Sequence, residues 1–464
     1  MVGHTPKLSS SFDSLPLRPL KLDLEQPNHP AETGGHRYRF SDLPIDIFQQ
    51  ILLCCAEPSL EDLTLGPHQK VSPKWLPVTQ VSRSWRAVSH SYPLLWSMIT
   101  PNLNKFWVDI MLKRSKPLLL DVHLCVGRRD IDDQQVTMTA YNALRILRKI
   151  AHRMRSLRLD GSREHLLGTL SNLRTSSPIW SLSLNLPPWD LGAPFSIPEN
   201  VFSFNVAVRS LSFLAERTLQ APDWLLRGLT SFKTGGKVPL LDLLVALSQM
   251  PMLECFTLIG CTAVWDEDDV FTGVPILMNR LQEFTVRAES PRQFVLLATH
   301  LMIPEAARKR IAVRTLTAPG HGLWRRWLQA LLPLYHGGLK NIRVSGGPRR
   351  GRFLAWTEEL HDDMARFCFE LEWNRNLPAP DGVRALEMPS PFYYLRMLCE
   401  ELNTVSVRRV VVEGDPERTV VAFGFWHMFF AEFPAMEELW FFAGTPEVPG
   451  PLACPGMPSV PSSP

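Results

Sequence analysis

Residues 154–159 read Met-Arg-Ser-Leu-Arg-Leu, and residues 179–184 read Ile-Trp-Ser-Leu-Ser-Leu. Both stretches carry apolar residues at their first, fourth and sixth positions. Because successive side chains of a β-strand point to opposite faces, the fourth and sixth residues lie on one face of a strand. The pattern predicts a half-buried strand, but 45% of the chain is hydrophobic, so one such triplet carries little weight.

The spacing at which this triplet returns along residues 117–444 is what predicts the fold. From Met154 to Leu281, successive triplets begin 25, 29, 21, 24 and 28 residues apart. Leucine-rich repeats have a period of about 20–29 residues and supply one strand per repeat. The predicted strands contain Leu119/Val122/Leu124, Met154/Leu157/Leu159, Ile179/Leu182/Leu184, Val208/Leu211/Phe213, Leu229/Phe232, Leu253/Phe256/Leu258, Leu281/Phe284/Val286, Leu339/Ile342/Val344, Met364/Phe367/Phe369, Val407/Val410/Val412 and Met436/Leu439/Phe441.

Apolar segments with helical spacing lie between several of these strands. The predicted helices are Ala143–Met154, Leu240–Met250, Phe294–Met302, Leu323–Tyr335 and Phe392–Leu402. The alternation predicts an α/β fold, here an irregular solenoid similar to leucine-rich repeats. Irregularity is expected because the Asn or Cys that ties neighbouring coils together after each strand is present only at Cys261. A solenoid leaves its strand face free, so we expect that face to bind a protein or peptide; the alternative is that it covers a separate core.

Residues 41–98 follow a helical pattern instead. Ser41 and Asp42 are good N-cap residues, and Pro44 suits a first helical turn. Two apolar stripes follow, one at Ile47, Phe48, Ile51, Leu52 and Cys55 and the other at Val78, Val81, Trp85 and Val88. Each stripe predicts one continuous helix, and Leu95-Trp96 begins a third short element.

The order of these residues resembles an F-box, the short helical segment that docks a substrate receptor onto a ubiquitin ligase. The matching residues are Leu43, Pro44, Ile47 and Ile51, then Val78, Val81, Trp85 and Arg86, then Leu95 and Trp96. In particular, the segment is similar to the F-box proteins of mushroom-forming fungi, which carry a similar long loop after the first helix. The likeness is specific over residues 41–98 and holds only in general texture for the rest of the chain.

The resemblance implies that this surface binds a Skp-type adaptor and, through it, a cullin scaffold. The expected docking residues are Leu43, Pro44, Ile47, Phe48, Ile51, Val78, Val81, Trp85, Leu95 and Trp96. Three short helices bury little apolar surface alone, and an exposed apolar patch rimmed by polar residues marks a protein interface. The alternative is that the helices only cap the repeat domain and bind no partner.

These patterns divide the chain into five parts. Residues 1–38 are rich in Pro, Ser, His and charge and are expected to be a disordered arm. Residues 39–99 form the F-box-like helical domain, 100–116 a linker and 117–445 the irregular leucine-rich-repeat-like domain. Residues 446–464 hold seven prolines and are expected to be a disordered tail.

Composition and motif content argue against several functional classes. The net charge of +3, from 49 basic and 46 acidic residues, gives no reason to expect nucleic-acid or membrane binding. Neither an apolar signal segment nor a membrane-spanning stretch is present in the sequence. The eight cysteines lack CxxC or zinc-finger spacing, so we expect no bound metal and a reducing compartment, the cytoplasm or nucleus.

The chain also lacks the GxSxG, HExxH, P-loop and GxGxxG motifs. We therefore expect a non-catalytic adaptor without a cofactor, which recruits an unknown protein substrate to an SCF-type ubiquitin ligase. Two other interpretations stay open. One is a repeat protein that binds ligands without any ligase, and the other is an enzyme whose site carries no recognised motif.

Overall fold

The computed structural model describes residues 44–56, 73, 75–100, 105–126, 144–173, 179–187, 194–199, 208–215, 219–236, 238–261, 275–288, 291–315, 339–346, 350–357, 367–374, 406–414 and 433–443. Several predictions fall outside the described residues. They concern Leu43, the helices Leu323–Tyr335 and Phe392–Leu402, the arm 1–38 and the tail 446–464.

The described helices lie mainly in the first two thirds of the chain. They are α1 (Ile45–Ala56), α2 (Arg83–Ser91), α3 (Lys105–Arg114), α4 (144–150), α5 (Arg163–Asn172), α6 (Asp223–Gly228), α7 (Leu240–Ser248) and α8 (Pro291–His300), with 3₁₀ helices at Leu76–Gln80, Pro93–Trp96 and Ala151–Arg153. Helices α4, α7 and α8 overlap the three predicted helices that fall on described residues. Helix α3 occupies most of the segment predicted as a linker, and its residues Val108 and Met111 are buried.

The strands of the described residues are numbered in chain order. They are β1 (Met98–Ile99), β2 (Leu120–Val126), β3 (Met154–Gly161), β4 (Ser181–Asn185), β5 (Phe195–Ser196), β6 (Ser210–Leu214), β7 (Leu219–Gln220), β8 (Ser231–Gly235), β9 (Cys255–Cys261), β10 (Ile276–Leu277), β11 (Glu283–Ala288), β12 (Leu301–Met302), β13 (Arg308–Thr315), β14 (Asn341–Gly346), β15 (Arg350–Trp356), β16 (Phe367–Asn374), β17 (Arg409–Gly414) and β18 (Glu438–Ala443). Each strand predicted from an apolar triplet overlaps one of these strands.

Fourteen of these strands form one large sheet in the order β1-β2-β3-β4-β6-β8-β9-β11-β13-β16-β15-β14-β17-β18. From β1 to β13, each strand lies parallel to and beside the preceding strand of this sheet. Strand β15 is antiparallel to both of its neighbours, β14 and β16. The fold is therefore mixed α/β with an open, mostly parallel sheet, whose edges are β1 and β18.

One face of the sheet is lined by buried side chains in register, and all those of the two rows from β2 to β11 are apolar except Thr234. Two rows cross the strands, one of Val122, Leu157, Leu182, Leu211, Phe232, Phe256 and Phe284, the other of Leu124, Leu159, Leu184, Phe213, Thr234, Leu258 and Val286. All of them are buried, and the Phe256 ring centroid lies 6.2 Å from that of Phe232 and 5.8 Å from that of Phe284. Helices α7 and α8 pack into the same core through residues such as Leu244 and Phe294. Each strand therefore buries its apolar residues against those of its neighbours.

The four strands outside the large sheet lie in the connections between its strands. They form two parallel pairs, β5 with β7 and β10 with β12. Strand β10 packs against α7, and β12 against α8. The connections thus form a second layer of helices and short strands over the apolar face of the large sheet.

The predicted stripe Val78, Val81, Trp85 and Val88 is not one helix, and this prediction was wrong. The 3₁₀ helix Leu76–Gln80 ends before Val81, and α2 begins after Ser82. The Ser82 hydroxyl accepts a hydrogen bond from the Trp85 backbone N–H at 3.1 Å, which is the usual N-cap interaction. The apolar residues from Val78 to Val88 therefore keep helical spacing, although Ser82 caps a new helix in the middle of this stretch.

Candidate binding surfaces

The F-box-like segment begins with α1, whose first hydrogen bond runs from the Phe48 N–H to the Pro44 carbonyl at 3.1 Å. Phe48, Leu52 and Ala56 follow at four-residue spacing and are buried. The Phe48 ring lies 4.3 Å from the Trp85 ring, measured between centroids, and so joins α1 to α2. Because Phe48, Leu52 and Ala56 occupy the buried side of α1, other side chains of this helix lie on the side that faces away from the core.

Trp96 is the centre of the segment's core. Its side chain is fully buried, and its Nε1–H donates to the Ser89 carbonyl at 2.7 Å. The Trp75 ring meets it edge-on at 4.8 Å, and the Arg114 guanidinium lies 4.3 Å above the ring. Trp96 therefore joins α2, α3 and the 3₁₀ helices, and Arg114 makes a cation–π contact with its ring.

The segment continues directly into the large sheet. Strand β1 pairs in parallel with Asp121 and Val122 of β2, and the Asp121 N–H donates to the Ser97 carbonyl at 3.0 Å. Leu95, beside Trp96, is fully buried. The helices therefore stand at the β1 edge of the sheet.

The expected docking residues divide into three groups by exposure. Pro44, Ile47 and Val81 are exposed, Ile51, Val78 and Trp85 are half-buried, and Phe48, Leu95 and Trp96 are buried. The exposed fractions of Ile47 and Val81 are 46% and 65%. Ile45 and Leu94, which sequence reasoning did not single out, are exposed as well. Exposed aliphatic side chains on neighbouring elements are suited to contact with another protein.

A second surface lies on the face of the large sheet opposite the buried rows. We name it the hydroxyl face and define it by Ser156, Ser181, Ser183, Ser210, Ser212, Ser231, Thr257 and Thr285. Register places four of these residues, Ser156, Ser181, Ser210 and Ser231, in one row across β3, β4, β6 and β8. Each is half-buried between strand neighbours of similar size, so this face carries short side chains over several adjacent strands.

The side-chain oxygens of the hydroxyl face make no hydrogen bond or ion pair with other residues of the part of the chain described here. Elsewhere, serine and threonine hydroxyls donate to backbone carbonyls, as Thr230 does to Arg209 and Ser89 does to Trp85. A hydroxyl can donate one hydrogen bond and accept two. The hydroxyl face therefore offers a row of unused donors and acceptors to a ligand.

Some charged side chains on the hydroxyl side of the sheet form ion pairs, and others do not. At one end, the Glu283 carboxylate accepts from the Arg308 guanidinium at 3.3 Å. Lys233 lies in the row of Thr257 and Thr285, and Arg287 lies two residues beyond Thr285 on β11. Both are exposed, and neither forms an ion pair with a described residue. The part of the face between β8 and β11 therefore carries two cationic side chains without an ion-pair partner among the described residues.

A polar network occupies the other end of the face. The buried His123 ring, on β2, donates through Nε2 to the Asp160 carboxylate on β3, and the Arg158 guanidinium lies 3.3 Å from the same carboxylate. Burial alone raises the pKa of Asp160. The hydrogen bond and charge of His123, with the charge of Arg158 and a hydrogen bond from Asn185, outweigh burial and hold this pKa below its ordinary value. The Asp160 carboxylate is therefore ionised at neutral pH and interacts with all three of these partners.

The thiol of Cys255 lies in one row with Ser231 and Glu283 and is a candidate nucleophile. Burial raises its pKa, and the charges of Glu283 and Glu254 raise it further. The thiolate is the reactive form of cysteine, so this thiol is poorly suited to nucleophilic chemistry at neutral pH.

Within the described ranges, no three or more His, Cys, Asp or Glu side chains are grouped so that they could hold a metal ion. The same ranges contain no helix with the length and apolar character needed to cross a bilayer. Cys54, Cys55, Cys125, Cys255 and Cys368 are free thiols.

Sequence reasoning predicted a free strand face but did not identify the residues on it. The signal was present in the stretches Ser181-Leu182-Ser183-Leu184 and Ser210-Leu211-Ser212-Phe213, where hydroxyl and apolar residues alternate. Only the register between strands shows that these serines align into a continuous surface.

The fold and these two surfaces define a mixed α/β protein with a large open sheet, a polar sheet face and a helical segment at one edge. No protein-family model and no curated protein sequence matches the chain. The resemblance to F-box proteins therefore rests on the residues quoted above.

Proposed function

We propose that this chain is a non-catalytic substrate-recognition adaptor of an SCF-type ubiquitin ligase. In this proposal, residues 39–99 contain an F-box that docks to a Skp-type adaptor and, through it, to a cullin scaffold. The sheet that follows is an irregular leucine-rich-repeat-like solenoid that binds the protein target. The observation that carries the proposal is the pairing of β1 with β2, which joins an F-box-like segment with exposed aliphatic residues to a sheet with an open polar face.

The helical segment supports docking because some of its apolar residues are buried and others are exposed. Phe48, Leu95 and Trp96 fill its core, so in this proposal they position the docking surface instead of touching the partner. Ile47 and Val81 remain exposed and are the residues we assign to direct contact, flanked by Ile51 and Trp85. Removing apolar side chains of this kind from water on binding is a main driving force of protein association.

The sheet supports the solenoid assignment in three ways. Its strands add in chain order from β1 to β13, its buried rows cross the strands from β2 to β11 in register, and short parallel strands recur in the connections. Solenoid repeats contact only their neighbours and leave one strand face free for a ligand. The hydroxyl face is that free face in our proposal.

The mechanism requires no chemistry from this chain. Two binding surfaces on one body hold a target near a ligase carried by another subunit, which raises the effective concentration of the target there. Exposed neighbouring thiols such as Cys54 and Cys55 are compatible with a reducing compartment, and we propose that the protein works in the cytoplasm or nucleus.

Co-elution of the purified chain with a Skp-type adaptor on size-exclusion chromatography tests the docking claim. We expect a complex with the parent chain and none with the double variant Ile47→Glu, Val81→Glu, because each change puts a charge into an apolar contact. Both positions are exposed, so the fold should persist, which circular dichroism checks. Leu277→Glu, at another exposed aliphatic residue, is the matched control and should bind normally.

The proposal fails if the parent chain does not bind the adaptor, or if the Ile47→Glu, Val81→Glu variant binds as well as the parent.

The second candidate function is a ligand-binding repeat protein whose helices only cap the β1 edge of the sheet. The burial of Leu95 and Trp96 against that edge favours this alternative. It is the conclusion to draw if adaptor binding is absent while target binding by the sheet is retained.

A further inference from the structure

We propose that the hydroxyl face, together with Lys233 and Arg287, binds an extended acidic segment of the protein target. This inference deepens the proposed function, because it assigns a ligand class to the sheet surface. It does not depend on adaptor docking, and its test uses no adaptor.

The shape of the surface favours an extended peptide. The hydroxyl face crosses six adjacent strands, from β3 to β11, a width of about 24 Å at the usual strand spacing. Extended chain covers this width in roughly seven residues. Because its side chains are short, a peptide backbone can approach the sheet closely enough to exchange hydrogen bonds with the serine and threonine hydroxyls.

The unused hydrogen-bonding capacity of these hydroxyls gives the peptide backbone specific partners. Ser183, Ser212 and Thr257 are half-buried and have no other bonding partner among the described residues. A peptide offers alternating N–H and C=O groups, which match side chains that both donate and accept. The hydroxyls therefore supply contacts that do not depend on the peptide's side chains.

The charges select acidic side chains. The acidic residues that strand register places on the face from β3 to β11 are Asp160 and Glu283, and both already have cationic partners. The cations Lys233 and Arg287 do not, so the face repels a basic peptide and attracts an acidic one. Their Cα atoms lie two strands and two residues apart, or about 12 Å. Acidic residues three or four positions apart along an extended chain match that separation.

A fluorescein-labelled peptide of about twelve residues, long enough to cross the face, tests the inference by fluorescence anisotropy with the full chain. The peptide has glutamate at every third position and serine or glycine elsewhere, and the comparison peptide has glutamine in place of each glutamate. We expect the glutamate peptide to bind and the glutamine peptide to bind at least tenfold more weakly. We also expect binding of the glutamate peptide to weaken as salt is added.

Substitutions locate the site. Lys233→Gln with Arg287→Gln should weaken binding of the glutamate peptide about tenfold, as expected for the loss of two charge pairs. The control Arg145→Gln with Lys149→Gln makes the same charge change on the exposed side of α4 and should leave binding unchanged. Ser212→Tyr, in the middle of the hydroxyl face, should abolish binding by blocking the surface.

Three results with the peptides and variants would overturn the inference. They are equal binding of the glutamate and glutamine peptides, equal weakening by the face variant and the α4 control, and undiminished binding to Ser212→Tyr. A fluorescein-labelled single-stranded oligonucleotide that binds this face more tightly than the glutamate peptide would also overturn it, in favour of a nucleic acid. Failure of this test with adaptor binding intact would leave the docking proposal standing.

Discussion

At the scale of single residues, Gly235 lies where β8 leaves no room for a side chain beside β9. A Cβ atom on residue 235 would overlap the backbone carbonyl oxygen of Ile259 on β9 and lie 3.2 Å from the Leu214 side chain. Gly236 follows with a φ of 97° and donates its N–H to the same Ile259 carbonyl at 3.3 Å. The end of β8 therefore requires glycine twice, first for space and then for backbone conformation.

Gly235→Ala should lower the free energy of unfolding by about 1–3 kcal/mol, because overpacking forces the backbone of β8 or β9 to shift. Gly168→Ala is the matched control. Gly168 lies in the middle of α5, where an added methyl group meets nothing within 4 Å, so this change should raise stability by about 0.5–1 kcal/mol. Urea unfolding followed by circular dichroism measures both. Equal effects of the two changes would contradict this account of Gly235.

Asp160 should make stability depend on pH. Its pKa is lower in the folded chain than in the unfolded chain, so the stability it contributes is present above the unfolded value of about 3.9 and is lost as pH falls through the folded value. Asp160→Asn should therefore reduce the free energy of unfolding at pH 7, and the difference from the parent should shrink in acid. Urea titrations at pH values on both sides of 4 measure this.

The control for this titration is Asp223→Asn, which removes an exposed carboxylate from an ion pair with Arg227 in the same helix. It should change stability by no more than about 0.5 kcal/mol at any pH. A difference between Asp160→Asn and the parent that stayed constant down to strongly acidic pH would show that Asp160 stabilises the fold by packing alone.

At the scale of elements, β13 shows where apolar patterning is interrupted. Its residue Lys309 occupies the buried row between Phe284 of β11 and Phe367 of β16. The side chain is 3% exposed, and its ammonium donates to the Glu305 carbonyl at 3.1 Å. Burial lowers the pKa of Lys309, which the charge of Glu305 only partly offsets, so the charged form costs free energy in the folded chain.

Lys309→Met should raise the free energy of unfolding by about 1 kcal/mol at neutral pH, because an apolar side chain of similar length fills the row without a buried charge. The gain should decrease at alkaline pH, where the folded parent no longer carries the charge. Lys233→Met, at an exposed lysine of β8, should have an effect within about 0.5 kcal/mol. Destabilisation by Lys309→Met would show that its bond to Glu305 outweighs desolvation.

Lys309 also explains which strands the sequence could predict. Where two apolar residues alternate along a strand, as Leu157 and Leu159 do, the pattern identified the strand. In β13 the first of these positions is a lysine, so the pattern failed and the strand was missed. The antiparallel strand β15 was missed because it begins Arg350-Gly351-Arg352, which resembles a turn.

The candidate surfaces were less predictable from the sequence than the strands, because the exposure of a side chain depends on packing between elements. Sequence spacing placed Ile47 and Phe48 on the same apolar face of α1, yet Phe48 is buried beside Trp85 and Ile47 is exposed. Leu95 and Trp96 match the F-box pattern, but the pattern alone does not show whether these residues contact a partner or fill a core. The hydroxyl face needs the register of β3 to β11, which no single segment contains.

At the scale of the whole molecule, the helical segment and the sheet share one hydrophobic core. A single cluster of buried residues extends from Phe48 in α1 to Leu439 in β18. Trp96 lies in this cluster, and the hydrogen bond from Asp121 to Ser97 joins the same region to β2. A rigid connection between the two proposed binding surfaces matters for function, since the effective concentration of a bound target depends on how firmly it is held near the ligase.

This shared core predicts that α1–α3 and β2–β4 open as one cooperative unit in hydrogen exchange measured by mass spectrometry. Trp96→Phe removes the hydrogen bond to Ser89 and weakens the contact with Arg114, at a cost of about 1–3 kcal/mol. Because the packing around Trp96 is continuous with β1 and β2, protection should fall by the same factor in peptides from the helices and from β3 and β4. Trp180→Phe, at a tryptophan that is 55% exposed, should change neither. If Trp96→Phe accelerated exchange only in the helices, they would be a separately opening cap, and a rigid link between the two surfaces would be excluded.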